Sequence, residues 1–101
     1  MQYNLIVLPR AANDIVEAYG YYSAINIVLA ERFLAEVKNV YLNLQSNPQF
    51  YSYIDSGKRN IFRDVKLKKF PYIAIFEIRK KDVILYAVKN TYTKPEKFKK
   101  I

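Results

Sequence analysis

The sequence contains no cysteine and no histidine. Without cysteine the chain can form no disulfide and has no thiolate to offer a metal, and a reducing cytosol is compatible with it. Without histidine it lacks the commonest general base and the ligand of most zinc sites. We therefore expect no cofactor and no metal site, and any catalysis has to rely on other side chains.

Targeting and membrane-spanning segments are also missing. The N-terminus reads Met1-Gln2-Tyr3-Asn4 and lacks the basic region and apolar stretch of a signal peptide. No apolar run approaches the roughly 20 residues that cross a bilayer. These absences predict a soluble, cytoplasmic protein with no membrane partner.

The length and the apolar content fit one folded domain. The chain has 101 residues and a mass of 12.0 kDa, and 51% of its residues are hydrophobic. That length suits one domain over residues 1–101, and that apolar fraction is enough for a core.

The charge of +8 is divided unevenly along the chain. Residues 1–56 contain three basic and five acidic side chains, a net charge of −2, and residues 57–101 contain fourteen basic and four acidic ones, a net charge of +10. This asymmetry suggests an anionic partner for the second half, either nucleic acid or an acidic polypeptide. A basic surface that only aids solubility explains the charge equally well.

The first half predicts a strand and two helices. Residues 2–8 are apolar and partly β-branched and end at Pro9, which suits the first turn of a helix. Ile15, Tyr19 and Tyr22 then follow helical spacing, and Asn26 can cap a second helix after a break at residues 23–26. The second helix has an apolar stripe at spacings of three and four and should end before Pro48; the stripe is Ala30, Phe33, Leu34, Val37, Val40, Tyr41 and Leu44.

The second half predicts a loop over residues 49–59 and three strands over residues 61–68, 72–79 and 83–89, with a short hairpin at residues 80–82. Residues 94–98 are predicted to form a loop or one helical turn. The order β-α-α-β-β-β indicates an α+β domain, an antiparallel sheet with an N-terminal helical hairpin packed on one face.

Several segments resemble toxins of the RelE/ParE family, in matching order along nearly the whole chain. Residues 63–72 end in a basic residue followed by Phe-Pro-Tyr, residues 73–78 and 84–88 resemble the apolar strands that follow, and residues 94–98 resemble the family's Asp-Pro-Glu-Lys-Trp ending. In the first half, Pro9 opens helix one, Tyr21-Tyr22 close it, and residues 29–33 begin helix two.

The resemblance implies a toxin of a type II toxin–antitoxin module, of the plasmid-stabilisation type, with a cognate antitoxin as its partner. RelE-branch toxins cut mRNA on the ribosome, whereas ParE-branch toxins inhibit DNA gyrase and perform no chemistry of their own. The chain departs from the family pattern at Ile73, Asn90 and Thr93, where many members have Arg, His and Arg. These departures weaken the nuclease interpretation and leave open gyrase inhibition, a lysine-based mechanism, or a decayed toxin that binds its antitoxin without toxicity.

Three side chains are the candidates for catalysis if the protein cuts RNA. Arg63 matches an arginine frequent in the family, and a guanidinium can bind phosphate and stabilise developing negative charge. Lys66 and Lys68 alternate onto one strand face, as a phosphate-binding pair requires. The structural alternatives are an ion pair between Arg63 and a helix carboxylate, and a solvated sheet face for the lysines.

A further group is predicted to bind nucleic acid or the protein target. Tyr92 could stack on a base, although a plain surface tyrosine explains it as well. Glu77, in an apolar strand, is expected to pair with a lysine on a neighbouring strand. The predicted binding residues are Arg59, Lys89, Asn90, Tyr92, Lys94 and Lys97.

Overall fold

The computed structural model describes residues 2–54 and 61–91. The predicted order β-α-α-β-β-β is confirmed, with a short 3-10 turn after the second helix. The predicted turn at residues 94–98 lies outside the described residues. The elements are β1 (Asn4–Val7), α1 (Pro9–Ile25), α2 (Ile27–Ser46), the 3-10 turn (Pro48–Phe50), β2 (Phe62–Lys66), β3 (Tyr72–Arg79) and β4 (Asp82–Asn90).

The two helices are separated by one residue, Asn26. The predicted break at residues 23–26 is wrong in extent, because α1 continues to Ile25. Asn26 alone turns the chain: its backbone is extended, its N–H donates to the Tyr22 carbonyl at 2.8 Å, and its side-chain oxygen accepts from the Val28 N–H at 2.7 Å. The predicted cap is thus confirmed, and the same residue ends one helix and starts the next.

The four strands form one sheet in the order β1-β4-β3-β2. The prediction of an antiparallel sheet is correct for β2, β3 and β4, whereas β1 joins the edge of β4 in parallel, with Asn4 opposite Asp82. Residues 52–54 run along the outer edge of β2, and β1 joins the outer edge of β4, where Leu5 and Val7 pack against the core. The sheet is therefore mixed, and β3 has the central place that its apolar sequence predicted.

The helical hairpin packs on one face of the sheet. Of the predicted stripe on α2, Leu34 and Tyr41 are half-buried and the other members are buried. Tyr22 and Phe33 meet Phe70 and Tyr72 in an aromatic cluster with ring centroids 5.1–6.2 Å apart. This cluster fixes the helices over the end of the sheet where β3 begins, and buries a large apolar area there.

None of the helices within residues 2–54 and 61–91 packs on the opposite side of the sheet, and we call this side the helix-free face. Strand alternation and register place on it Phe62, Asp64, Lys66, Ile73, Ile75, Glu77, Tyr86 and Lys89. The alternate residues, such as Val65, Ala74 and Phe76, belong to the core that the helices cover. Among the described helices, none combines the length and the apolar character that a membrane span requires.

Candidate functional site

A row of residues crosses one end of the helix-free face. Lys66 lies opposite Ile73, and Ile73 lies opposite Lys89. Since adjacent strands are about 4.8 Å apart, the Cα atoms of the two lysines are about 10 Å apart. Lys66 is exposed, Ile73 is buried between the lysines, and Lys89 Nζ lies 3.6 Å from an Asp14 carboxylate oxygen on α1. The structure thus brings together two lysines that the sequence placed in separate candidate groups.

Lys68 lies just beyond this row, in the turn between β2 and β3. The predicted strand over residues 61–68 is too long, because β2 ends at Lys66. The Leu67 N–H donates to the Tyr72 carbonyl at 3.0 Å, and Lys69 takes a left-handed backbone with φ 68° to complete the turn. Lys66 and Lys68 are both exposed, on the last strand residue and in the turn.

Arg63 alternates onto the other side of β2, as predicted. Its guanidinium donates to the Tyr51 carbonyl at 2.7 Å, to the Gln49 carbonyl at 3.4 Å and to the Tyr53 hydroxyl at 2.9 Å, and it lies 4.1 Å from the Tyr53 ring centroid. These partners belong to the segment after α2, so the described residues do not show the ion pair with a helix carboxylate that was the structural alternative. A cavity of about 260 Å³ adjoins the guanidinium, lined by Gln49, Tyr53, Ile61, Arg63, Glu77 and Ile78.

Glu77 is buried near the other end of the helix-free face. The prediction that it pairs with a lysine of a neighbouring strand is wrong: its ion pair is with Arg79 of the same strand, at 3.0 Å. The neighbouring strand contributes the Tyr86 hydroxyl, which donates to Glu77 Oε1 at 2.7 Å. These bonds to the carboxylate raise the pKa of the Tyr86 phenol and of the Arg79 guanidinium.

Asp64 lies between these two ends and was missed as a candidate in the sequence. It is opposite Ile75, two residues from Phe62 and two from Lys66. Burial raises the pKa of its carboxyl group, and the charge of Lys66 partly offsets this rise. The alternation that grouped it with Lys66 and Lys68 was the available signal, because a carboxylate interrupts an otherwise basic run.

The remaining predicted residues are divided by what the structure describes. Asn90 ends β4 opposite Tyr72, at the same end of the sheet as Lys66 and Lys89. The next residue, Thr91, donates its N–H to the Pro71 carbonyl at 2.7 Å, which ties the end of β4 to the start of β3. Outside the described residues lie Arg59, Tyr92, Thr93, Lys94 and Lys97.

The helix-free face therefore has three zones. Lysines flank one end, a floor of fully buried Ile75 and Ala87 occupies the middle, and Phe62 and Tyr86 meet edge-to-face at the other end with ring centroids 5.0 Å apart. Within residues 2–54 and 61–91, no group of three or more carboxylates, histidines or cysteines is placed to hold a metal ion. Charge beside apolar and aromatic surface suits binding of a macromolecule.

A helical hairpin on one face of a small four-stranded sheet, with a cationic end on the other face, defines a RelE/ParE-like domain. The family model for the ParE toxin of the type II toxin–antitoxin system parDE matches residues 5–92, and the chain belongs to this family. The resemblance seen in the sequence is thereby confirmed.

The fold also matches a solved structure described as the chromosomal ParDE toxin–antitoxin system from P. aeruginosa. The TM-score is 0.73 at 18% sequence identity, over 88% of this chain and 96% of that chain. At this identity the match concerns the fold alone. No curated protein matches the sequence.

Proposed function

We propose that this ParE-type toxin arrests growth by binding DNA gyrase, and that a cognate antitoxin neutralises it. The observation that carries the proposal is the match to the ParE toxin model over residues 5–92. As an inhibitor that acts by contact, the protein would not itself be an enzyme. Cleavage of mRNA on the ribosome, with Arg63, Lys66 and Lys68 as the catalytic groups, is the alternative.

The contacts of Arg63 favour gyrase binding over RNA cleavage. Its guanidinium bonds two loop carbonyls and a tyrosine hydroxyl. To stabilise a phosphorane-like charge, the same donors would have to leave these partners, and the carbonyls would lose their bonds. Arg63 is better suited to hold the loop than to contact substrate.

The departures from the RelE pattern point the same way. Ile73 is buried between Lys66 and Lys89, so an apolar group stands where many family members have an arginine. Asn90 stands where many family members have a histidine, and the chain has no histidine at all to take over proton transfer. Among the described residues at this end of the sheet, Lys66 and Lys68 are exposed and can bind an anionic partner, and Lys89 is paired with Asp14.

The charge distribution supports an acidic protein partner. Residues 2–54 contain three basic and four acidic side chains, a net charge of −1, whereas residues 61–91 contain eight basic and three acidic ones, a net charge of +5. A partner with an acidic segment would be steered to the strand half. The lysine-bearing end of the helix-free face, with Lys66, Lys68 and Lys89, is the proposed contact region.

The first test is induction of the chain alone in a bacterial host, with thymidine and amino-acid incorporation followed over the first minutes. Gyrase inhibition predicts that DNA synthesis falls while protein synthesis initially continues. Early loss of amino-acid incorporation would instead establish the ribosomal alternative. Normal growth with both incorporations unchanged would indicate a toxin that has lost its toxicity.

A direct assay follows with purified gyrase and supercoiled plasmid. The chain should inhibit supercoiling, and Lys66→Ala combined with Lys68→Ala should raise the concentration needed about tenfold, since each rim charge contributes roughly 0.5–1 kcal/mol. Lys38→Ala, on the exposed side of α2, is the matched control and should leave inhibition unchanged. Equal inhibition by all three proteins would remove the two lysines from the contact region.

A further inference from the structure

Asp64 lies in the part of the helix-free face that a polyanion would cross. Its strand neighbours on this face are Phe62 and Lys66, each about 7 Å away along β2, and its cross-strand neighbour is Ile75. Lys66, Ile73 and Lys89 form the adjacent row. A phosphate chain bound by that row would therefore pass within one row of the carboxylate.

The backbone of Asp64 is held in place on both edges of β2. The Asp64 N–H donates to the Ser52 carbonyl at 3.3 Å on the outer edge of β2, and Asp64 pairs with Ile75 across the inner edge. The fully buried side chain of Ile75 bounds it on the floor of the face. A carboxylate beside Lys66 lowers the attraction of this row for phosphate, and it disfavours a neutral or cationic group little.

We propose that Asp64 is a specificity determinant that excludes nucleic acid from the helix-free face, so that the lysines of this face engage a protein instead. The inference rests on the proposed function in treating this face as the contact surface, and it deepens that function by identifying a repulsive element. A sheet face with exposed cations and aromatic rings otherwise resembles one that binds single-stranded RNA by charge and stacking. Asp64 supplies the discrimination against that use.

The charged groups around Asp64 fix the expected pH dependence. On β2 the neighbouring charge is Lys66, and the adjoining loop contributes the Ser52 carbonyl. On β3, Glu77 is bonded to Arg79 and to Tyr86. On β4, Lys89 is paired with Asp14. Because burial raises the pKa of the Asp64 carboxyl group, it takes up a proton at higher pH than an ordinary aspartate does. Acidification should therefore neutralise the repulsive charge while the lysines stay charged.

The test measures binding of a fluorescent oligouridylate by anisotropy at low ionic strength, with wild-type protein, Asp64→Asn and Glu17→Gln. Both substitutions remove one negative charge, but Glu17 is exposed on α1, on the other side of the sheet. Asp64→Asn should bind the oligonucleotide about tenfold more tightly than Glu17→Gln does. This factor lies between the interaction energies expected for two unit charges in water and for two at a protein surface. Uracil does not titrate in the acidic range, and the label is a fluorophore whose emission is constant over the same range, so the probe stays constant.

The second arm repeats the measurement between about pH 7 and pH 4.5. Wild-type affinity should rise on acidification more steeply than that of Asp64→Asn, because the other carboxylates titrate in both proteins. Equal affinities of Asp64→Asn and Glu17→Gln, absence of binding by Asp64→Asn, or parallel pH curves would each overturn the proposal. Thermal unfolding of the variants confirms that each is folded, and the gyrase assay is read separately, so failure here is distinguishable from failure of the proposed function.

Discussion

At the scale of single residues, Arg63 links the sheet to the loop that follows α2. Three hydrogen bonds and a cation–π contact connect it to residues 49–53. Next to it, residues 52–54 run along β2: the Ile54 N–H donates to the Phe62 carbonyl at 3.0 Å, and Tyr53 forms an isolated bridge with Arg63. Arg63 thus keeps in place a short segment that covers part of an edge strand, where unpaired backbone groups would otherwise be open to association.

Arg63→Ala is expected to lower the free energy of unfolding by about 2 kcal/mol, because charged donors to two carbonyls and the stacking on Tyr53 are lost together. Urea denaturation measures the change. Lys66→Ala on the same strand is the control and should stay within about 0.5 kcal/mol of wild type, since its side chain is exposed. An unfolding free energy for Arg63→Ala that equals the control value would contradict the anchoring role.

At this scale the sequence could predict which face of a strand a side chain occupies, but not its hydrogen-bond or ion-pair partners. Alternation correctly separated Arg63 from Lys66, since it depends only on the pleat of a strand. The partners of Arg63 depend on the path of an irregular loop, and no periodic pattern encodes that path. The expected lysine partner of Glu77 was wrong for a related reason: Arg79, two residues along the same strand face, reaches back to the carboxylate with two nitrogen atoms.

At the scale of elements, Asp14 fastens α1 to the edge of β4. β1 pairs with β4 only as far as Leu85, and the Leu8 N–H then donates to the Leu85 carbonyl at 3.1 Å. Three residues on, the Val88 N–H donates to Asp14 Oδ2 at 2.9 Å, so a helix side chain takes the place of the missing strand. Because Lys89 also pairs with Asp14, the same α1 carboxylate binds the backbone edge of β4 and one of the lysines in the row Lys66, Ile73 and Lys89.

Replacing Asp14 by alanine should destabilise the protein by about 2 kcal/mol, because the Val88 N–H loses a charged acceptor in a partly buried position. The Val88 amide should also exchange with solvent faster, which hydrogen-exchange NMR can follow residue by residue. Glu17→Ala, an exposed carboxylate of the same helix, serves as control. Unchanged protection of Val88 in Asp14→Ala would show that the carboxylate does not close the edge.

Helices and antiparallel strands were predictable from periodicity and from Pro9, Asn26 and Pro48, whose local chemistry limits the backbone. The direction of β1 was not. A strand of four residues with an alternating pattern fits either direction equally well. The outcome depends on tertiary packing, because residues 52–54 run along the outer edge of β2 and β1 joins the outer edge of β4. Likewise the turn at Lys69 shortened β2, since left-handed backbone at a lysine carries no strong sequence signal.

At the scale of the whole molecule, three tyrosines make the stability of the fold depend on pH in the alkaline range. A hydrogen bond to Glu31 raises the pKa of Tyr19, burial raises that of Tyr41, and a hydrogen bond to Glu77 raises that of Tyr86. In each case the native state holds the tyrosine proton more tightly than the unfolded chain does, where the pKa of tyrosine is about 10. The stabilisation is therefore complete below that pH and is lost as pH rises through the higher native values.

We expect the free energy of unfolding to fall as pH rises above about 10, and to fall less steeply in the double variant Tyr19→Phe, Tyr86→Phe. Urea titrations at a series of alkaline pH values measure the slope. Tyr21→Phe, which alters an exposed tyrosine, should keep the wild-type slope. A double variant with the wild-type slope would mean that the two hydroxyl–carboxylate bonds do not govern alkaline stability.

The parallel pairing of β1 with β4 also has a consequence for the time course of folding. Asn4 and Asp82 pair although most of the chain separates them in sequence, so this contact closes a very long loop. During synthesis the helical hairpin can form early from local contacts, but β1 has no strand to join until β4 has left the ribosome. The nascent chain therefore holds a helical hairpin with an unpaired first strand, and its lysine-bearing sheet is assembled only after β4 has been synthesised.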